Sequence, residues 1–205
     1  MRRLGIMGGT FDPIHYGHLV TAECARYELG LEKVLFIPAG RPPHKPDRRI
    51  TGPWLRYAMT GLAIASNPFF QASSLEVERP GPSYTIDTVQ AITHLFPGAE
   101  IYFITGADAV LEILTWKNVE QLLSLCRFIA ATRPGYRLME LGEKLYKLPV
   151  ELKQSIVQNI VLMEVPALAI SSTEIRRRVR EGRPIKYLLP EPVEEYIIKN
   201  NLYRQ

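Results

Sequence analysis

Apolar residues along the chain follow two alternating patterns, and the alternation predicts the fold. Continuous apolar runs of strand length occur at residues 3–7, 33–38, 100–105, 127–132 and 160–165. Such runs are typical of strands that are buried on both faces of a parallel sheet. Between them lie segments whose apolar residues recur every three to four positions, as on the buried face of a helix. The alternation predicts an α/β fold with a doubly wound, Rossmann-like parallel sheet and a short helical C-terminal extension.

Two of the predicted helices have clear boundary signals. One helix opens at Thr51, with Pro53 in its first turn, and stops at Asn67, which precedes a proline. Its apolar spacing predicts the following buried residues: Trp54, Leu55, Ala58, Met59, Leu62 and Ala65. Residues 69–78 are expected to form a strand or a hairpin, and a further helix is expected to be capped near Ser83. The buried stripe predicted for this later helix is Ile86, Val89, Ile92 and Leu95.

The turn after the first strand carries the strongest chemical signal. Residues 8–18 read Gly-Gly-Thr-Phe-Asp-Pro-Ile-His-Tyr-Gly-His. Two adjacent glycines allow a sharp turn and a close approach to a ligand, and the N–H groups that open the next helix then face that ligand. His15 and His18 are predicted to be exposed on one face of this helix. The arrangement favours phosphate, because two histidines without a nearby carboxylate or thiol make a poor metal site.

A second signal for anion binding lies near the end of the chain. Ser171 and Glu174 have the spacing of a capping box, and the helix that they open is predicted to end at Glu181, before Gly182. Residues 171–186 contain six basic and two acidic residues, which accounts for the whole net charge of +4. Such a patch suits a local anionic ligand, although an RNA-binding surface has the same signature.

Further candidate side chains follow the predicted strands, at the edge where doubly wound folds bind ligands. Lys45 lies in a proline-stiffened loop and can contact a phosphate, and Arg133 places another cation after a strand. Asp108 can accept hydrogen bonds from ribose hydroxyls, help to bind a metal, or cap a helix. Trp116 can stack on a flat aromatic ligand at a loop tip, and a core or interface position is the alternative.

Composition limits the class of protein. The 205 residues are 46% hydrophobic and 22% charged, which is ordinary for a globular domain with a substantial core. We therefore expect a single domain over residues 1–205, with residues 171–205 as its C-terminal helical extension. Cys24 and Cys126 lack metal-ligand spacing and are expected to be reduced core residues. No apolar run approaches the ~18 residues of a membrane span, and no signal peptide is evident, so a cytoplasmic protein is expected.

Residues 8–18 resemble the signature of the HxGH nucleotidyltransferase superfamily, specifically of its nicotinate mononucleotide adenylyltransferase branch. Residues 170–176, Ile-Ser-Ser-Thr-Glu-Ile-Arg, resemble the second motif of that superfamily. The resemblance covers the chain except about residues 136–159. It implies transfer of the adenylyl group of ATP to nicotinate mononucleotide, which gives deamido-NAD and pyrophosphate in NAD biosynthesis. Neither GxxxxGK[ST] nor GxGxxG occurs, so a P-loop and a dinucleotide-oxidoreductase turn do not account for the nucleotide site.

The resemblance also implies roles for individual residues. The implied catalytic residues are His15, His18, Lys45 and Arg176. The implied ATP-binding residues are Gly8, Gly9, Thr10, Phe11, His18, Gly106, Asp108, Ser171, Ser172 and Arg176. The residues implied to bind nicotinate mononucleotide are Lys45, Tyr84, Thr85, Trp116, Lys117 and Arg133. In the family, the backbone at the Thr85 position grips the nicotinate carboxylate and the tryptophan stacks on the pyridine ring. Mg²⁺ is implied as the cofactor, carried mainly by the ATP phosphates, with Asp108 as a candidate ligand.

Two alternatives stay open at this point. A phosphopantetheine adenylyltransferase shares the first and last motifs, but should lack the Pro-Pro-His-Lys segment at 42–45 and the Tyr84–Thr85 segment, and is usually shorter. An RNA-binding protein would use the basic segment 176–183. We expect ATP and nicotinate mononucleotide as partners, with no nucleic acid and no membrane, and a homodimer is one candidate assembly.

Overall fold

The computed structural model describes residues 2–43, 50–132, 150–166 and 168–204. Within these residues one sheet contains β1 (Arg3–Gly9), β2 (Lys33–Pro38), β3 (Phe70–Ala72), β4 (Glu100–Gly106), β5 (Arg127–Thr132) and β6 (Ile160–Glu164). The strand order is β3-β2-β1-β4-β5-β6, and every neighbouring pair is parallel. This is the order of a doubly wound Rossmann sheet, so the predicted fold class is confirmed.

The helices lie on both faces of this sheet. In chain order they are α1 (Tyr16–Glu28), α2 (Pro53–Ile64), α3 (Leu75–Glu78), α4 (Thr85–Leu95), α5 (Ala107–Leu111), α6 (Val119–Leu125), α7 (Val150–Asn159), α8 (Ser172–Arg180) and α9 (Glu191–Lys199). Side chains alternate between the two faces of a strand, and Phe103 and Ile104 of β4 accordingly join two different core clusters. One cluster packs against α1, α2, α8 and α9, and the other against α4, α6 and α7.

The C-terminal helices close one face of the sheet. Ile175 of α8 and Val193 and Ile197 of α9 are buried in the same cluster as residues of α1 and α2. The backbone N–H of Tyr16 also donates to the carbonyl of Leu188, at 3.2 Å, which ties the start of α1 to the segment before α9. The C-terminal extension therefore packs directly behind the turn that carries residues 8–18.

The prediction for residues 69–78 is only partly right. A three-residue strand, β3, pairs in parallel with β2, but the chain then forms the short helix α3. The Glu-Val-Glu sequence in this region has the alternation of a strand, which misled the prediction. Instead the hydroxyl of Ser74 donates to the Glu78 carboxylate at 2.6 Å, which favours one helical turn.

The buried face of α2 was predicted correctly only at Met59. Its buried residues are Arg56, Met59, Thr60, Ala63 and Ile64, whereas Trp54 is 56% exposed. The helix carries apolar residues on more than one face, so spacing alone did not decide its rotation. In the structure the rotation places Arg56 among backbone carbonyls that accept its hydrogen bonds.

The remaining findings concern the end of α4, the two cysteines and the length of the helices. Leu95, predicted to be inward on α4, is 60% exposed in the last turn of that helix. Cys126 is buried and Cys24 is half-buried, and both are free thiols. Within the described part of the chain, no helix combines the length and apolar character needed to cross a bilayer.

Candidate active site

The candidate site lies where the strand order reverses. β1 pairs with β2 on one side and with β4 on the other, and ligands of doubly wound sheets bind beyond the carboxyl ends of the strands at this point. A cavity of about 540 Å³ lies there, lined by the ends of β1, β4 and β5, the start of α1 and the segment after β6. Gly8, His18 and Gly106 line this cavity together with His15, so the structure brings together three of the predicted ATP-binding residues and a predicted catalytic residue.

The two histidines form a stacked pair. His15 is the N-cap residue of α1 and His18 lies in its first turn, with ring centroids 3.8 Å apart. The prediction of one shared face is confirmed, but His15 is only 7% exposed, so the prediction that both are exposed is wrong. The cause is the stacking itself, which places the His15 ring beneath its neighbour. The buried Nδ1 of His15 has no hydrogen-bond partner among the described residues, which is a feature that a bound ligand can explain.

Hydrogen bonding determines which nitrogen of His18 can act as a donor. The backbone N–H of His15 donates to Nδ1 of His18 at 3.2 Å. A neutral imidazole carries one proton, so His18 carries it on Nε2 and offers an N–H donor from that side. Phe11 meets the His18 ring edge to face, with centroids 5.1 Å apart, and holds the ring orientation.

Burial keeps both imidazoles neutral. Desolvation lowers the pKa of His15 from 6.5 to about 4. Desolvation, together with the charge of His15, also holds the pKa of His18 well below its ordinary value. At neutral pH the pair therefore supplies hydrogen-bond donors without a net positive charge.

Neighbouring glycines make room for these rings. A Cβ atom on Gly17 would lie 3.0 Å from two ring atoms of His15, and one on Gly9 would lie 2.8 Å from the Phe11 ring. A Cβ atom on Gly8 would similarly lie 3.0 Å from the ring of Phe103. The glycines of the signature are therefore required by close ring packing as well as by the turn.

Protonation of His15 should make the protein less stable in acid. The unfolded chain binds a proton near pH 6.5 and the folded chain only near pH 4, so the free energy of unfolding should fall as the pH drops through this window. The expected loss is on the order of 3 kcal/mol for this residue. Chemical denaturation of the ligand-free protein at pH 7 and pH 4.5 should show a smaller loss for His15→Asn than for the wild type. His94→Asn, at an exposed position of α4, is the control, and an equal loss in all three proteins would contradict the prediction.

The second motif contacts the first through the backbone. The Ser171 hydroxyl accepts from the N–H of Glu174 at 3.2 Å, so the predicted cap is confirmed, but the Glu174 carboxylate binds Arg177 and Arg178. Ser172 donates its hydroxyl to the carbonyl of Pro13 at 2.8 Å. The start of α8 is thus held against the signature turn.

Arg176 reinforces the same junction. Its Nη1 donates to the carbonyl of Asp12 at 2.7 Å, and its Nη2 donates to the hydroxyl of Thr173 at 3.3 Å. A guanidinium has five N–H donors, so these two bonds leave others for a phosphate. Arg176 therefore both positions the signature turn and keeps donors for a ligand.

Carboxylates balance much of the basic segment at 171–186. Arg177 and Arg178 pair with Glu174, and Arg183 pairs with Glu181. Lys186 pairs with the carboxylates of Glu191 and Glu194. Much of the charge that suggested an RNA-binding surface is therefore compensated within the protein.

A second group of predicted residues gathers at the start of α4. Thr85 is the first residue of this helix and Tyr84 is its N-cap, so the cap lies one residue later than the predicted Ser83. The N–H and hydroxyl of Ser83 are bound to Arg41 instead. The ammonium of Lys117 lies 4.6 Å from the centre of the Tyr84 ring and 3.3 Å from the carboxylate of Asp87. An aromatic ring, a cation and the free N–H groups of a helix start thus lie together.

Trp116 links this group to the cavity. Its indole is half-buried and packs edge to face on Phe103 and Phe128, with both centroid distances at 5.9 Å. Phe103 in turn lies against Gly8 of the signature turn. The core prediction for Trp116 is therefore partly right, because the ring packs on core residues and keeps an exposed part, and its stacking on a ligand stays a prediction.

The structure describes no side chain for three other predicted residues. Lys45 and Arg133 lie outside the described residues. Asp108 belongs to α5, directly after β4, and the structure describes its backbone only. The described residues contain no group of three or more His, Cys, Asp or Glu side chains that could hold a metal ion.

The sequence interpretation missed two residues behind the signature turn. Arg56 donates to the carbonyl of Thr10 at 2.7 Å, and Tyr203 donates its hydroxyl to the carboxylate of Asp12 at 2.7 Å. The sequence did carry a signal for Arg56, because this charged residue lies three and seven positions before the apolar Met59 and Ala63, on the same face of the helix. For Tyr203 the sequence carried no such signal, because the contact spans almost the whole chain.

Known proteins resemble this chain in sequence and in fold. A protein of Moorella thermoacetica named "Probable nicotinate-nucleotide adenylyltransferase" is 61% identical over 203 residues, covering 98% of this chain and 92% of the relative. A protein of Desulfitobacterium hafniense with the same name is 56% identical, covering 99% and 96%. The solved structure of Plasmodium falciparum nicotinic acid mononucleotide adenylyltransferase complexed with APC is 22% identical, with a TM-score of 0.76 over 99% of this chain and 98% of that one. This structural match shows a common fold.

The family model agrees with these relatives. The model of the cytidylyltransferase-like family matches residues 6–178, a span that begins in β1 and ends within α8. Both motifs and the cavity between them fall inside this span. The chain therefore belongs to the cytidylyltransferase-like family and, within it, to the nicotinate-nucleotide adenylyltransferases.

Proposed function

We propose that the protein transfers the adenylyl group of ATP to nicotinate mononucleotide, giving deamido-NAD and pyrophosphate. The stacked, neutral pair of His15 and His18 at the β1–β4 crevice is the observation that carries the proposal. Two relatives support it, because each is more than 50% identical to this chain and is named a probable nicotinate-nucleotide adenylyltransferase. The single sheet also supports a single nucleotidyltransferase domain over the whole chain.

ATP would occupy the cavity. We assign its phosphates to the turn from Gly8 to Phe11, to the two histidines, and to the start of α8 with Ser171, Ser172 and Arg176. Helix N-termini and arginine are well suited to phosphate. Gly106 and Asp108 would lie beside the nucleoside, at the end of β4.

The reaction requires positioning more than proton transfer. An oxygen of the 5′-phosphate of nicotinate mononucleotide attacks the α-phosphorus of ATP, and the bond between that phosphorus and the oxygen bridging to the β-phosphorus breaks. Pyrophosphate leaves with the bonding electrons. The attacking phosphate is already ionised at neutral pH, so no general base is needed. The N–H of His18 and the donors of Arg176 would offset charge that develops during the transfer.

A divalent metal is typical of this family, and Mg²⁺ would enter with ATP as the MgATP substrate. The lack of a three-ligand cluster among the described residues is compatible with a metal that the phosphates carry. Bound in this way, Mg²⁺ would neutralise phosphate charge. Asp108 is the protein residue that we propose beside it.

Nicotinate mononucleotide would bind at the start of α4. The N–H groups near Thr85 suit the nicotinate carboxylate, Lys117 adds a nearby positive charge, and Trp116 offers a surface for the pyridine ring. Lys45 and Arg133 are proposed as further contacts on the family resemblance alone. Action in the cytoplasm likewise stays a prediction.

This acceptor site predicts a strong preference for the acid over the amide. An amide would turn its NH₂ group toward an N–H donor and leave that donor unpaired, which costs much more than a lost apolar contact. Pyrophosphate release with ATP should be at least about 10²-fold faster, as kcat/KM, with nicotinate mononucleotide than with nicotinamide mononucleotide. Phosphopantetheine should be inactive as an acceptor. Comparable rates with either alternative acceptor would contradict the proposed function.

A pair of variants can locate the origin of this preference. Thr85→Pro removes the backbone N–H together with the threonine side chain at the first position of α4, where proline is tolerated, and Tyr84 already has the extended backbone that precedes proline. Thr85→Ala keeps that N–H and is the matched control. We expect the preference for the acid to fall about tenfold in Thr85→Pro and to persist in Thr85→Ala. Equal preferences in the two variants would show that another group reads the carboxylate.

A further inference from the structure

Arg56 has the lowest exposure of the charged side chains in the described part of the chain, and no recognised motif includes it. It lies in α2 and is 1% exposed. Its guanidinium donates to three backbone carbonyls: Nε to Thr51 at 2.7 Å, Nη1 to Thr10 at 2.7 Å and Nη2 to Gly40 at 3.1 Å. Thr10 belongs to the turn after β1, and Gly40 to the loop after β2. One planar side chain therefore joins two different loops.

Asp12 faces this guanidinium from the signature turn. It is also buried, and its charge acts favourably on that of Arg56. One carboxylate oxygen of Asp12 accepts from the hydroxyl of Tyr203 at 2.7 Å, and the other accepts from the N–H of Thr51 at 3.4 Å. We call Arg56, Asp12 and Tyr203 the anchoring cluster. Through Tyr203 it also binds the segment that follows α9 to the signature turn.

The two loops joined by the cluster carry groups assigned to different substrates. The turn at Thr10 belongs to the proposed ATP site, and Arg41, the neighbour of Gly40, is hydrogen-bonded through its backbone to Ser83, just before the start of α4 that is proposed for the acceptor. Transfer requires the attacking oxygen and the α-phosphorus to meet in line. A misplacement of about 1 Å can cost about 10²-fold in rate even when each reactant still binds.

We propose that Arg56, supported by Asp12 and Tyr203, is a positioning residue that sets the ATP-binding turn and the loop after β2 relative to each other. Its three nitrogen atoms are bound to backbone carbonyls, so it would act through the two loops rather than on a substrate. Its removal should disturb the alignment of two bound substrates more than the binding of either one. This inference rests on the proposed adenylyl transfer.

Arg56→Lys tests the proposal because it keeps the charge and removes the fork of donors. A single ammonium cannot reach three separated carbonyls with the geometry of a guanidinium. We expect kcat to fall about 10²-fold. The KM for each substrate and the Kd of MgATP, measured by calorimetry, should change less than about threefold. Circular dichroism and thermal unfolding establish that the variant is folded under the assay conditions.

Ile64→Ala is the matched control for lost stability. Ile64 is buried on the same helix and belongs to the apolar core rather than to the anchoring cluster. Its removal should lower thermal stability while kcat per folded molecule stays within about twofold of the wild type. If kcat of Arg56→Lys falls no further than that of Ile64→Ala, or if KM and Kd rise in proportion to the loss of kcat, the positioning role is wrong.

Tyr203→Phe tests the positioning role if Arg56→Lys does not fold. This variant removes one oxygen from the anchoring cluster and keeps the ring. We expect kcat to fall several-fold with little change in KM, and an unchanged kcat would overturn the proposal. The two failures can be told apart. If the proposed function is wrong, the wild-type protein forms no dinucleotide. If only the positioning role is wrong, the wild type and the variants are all active.

Discussion

Replacing His18 by alanine is expected to lower kcat for deamido-NAD formation by about 10²–10³-fold, the usual cost of losing one preorganised donor to a charged transition state. The reason is the tautomer of the His18 imidazole, which determines the nitrogen that donates. Nδ1 of His18 accepts the N–H of His15, so its proton lies on Nε2 and can face a phosphate. Because the interaction grows as charge develops, the Kd of MgATP should change far less than kcat.

Two further substitutions separate the donor role from the capping role. An asparagine amide can replace Nδ1 of histidine as an acceptor, and a glutamine amide can place an N–H near the position of Nε2. If the donor is what matters, His18→Gln should keep more activity than His18→Asn, and His94→Ala in α4 should be unaffected. Greater activity in His18→Asn would assign His18 to helix capping and contradict the proposed role.

Replacing Gly40 by alanine is expected to damage both stability and activity. The added Cβ atom would lie 2.1 Å from the carbonyl oxygen and 3.0 Å from the carbonyl carbon of Glu76. Both are backbone atoms and cannot rotate away, so the loop after β2 and α3 must separate. The free energy of unfolding should fall by about 2 kcal/mol or more, within the range known for overpacking. Since the Gly40 carbonyl also accepts from Arg56, kcat/KM should fall at least about tenfold.

Gly61 supplies the control for this substitution. It lies inside α2, and no atom lies within 4 Å of the Cβ position. Gly61→Ala should therefore raise the free energy of unfolding by about 0.5–1 kcal/mol through helix propensity and leave activity unchanged. Urea denaturation and initial-rate assays of both variants check the pair. Equal stability of the two variants would show that the contact between Gly40 and Glu76 is not tight.

Five of the six strands in the described sheet followed directly from the sequence because buried parallel strands leave a simple trace. Runs such as Lys33–Pro38 are apolar on both faces, and each is separated from the next by a helical pattern. The placement of His15, His18 and Gly106 around one cavity also followed, since the carboxyl ends of β1 and β4 must meet at one edge.

Burial of individual side chains was harder to predict than topology. The side chain of Arg56 lies inward because the carbonyls of Thr10 and Gly40, from the loops after β1 and β2, meet the Thr51 carbonyl there, and spacing within α2 cannot reveal them. His15 is buried because it stacks on its neighbour, whereas the pattern suggested an exposed position. The contact of Tyr203 with Asp12 joins residues at opposite ends of the chain. Such features depend on tertiary contacts, which a local pattern does not encode.

The most direct measurement of the central claim follows the α-phosphorus of ATP. ATP labelled at that phosphorus would be incubated with the protein, Mg²⁺ and nicotinate mononucleotide, and the products would be separated. We predict that the label appears in deamido-NAD, with one pyrophosphate released for each dinucleotide formed. Label that stays in ATP, or that appears in AMP or ADP without a dinucleotide, would contradict adenylyl transfer to nicotinate mononucleotide.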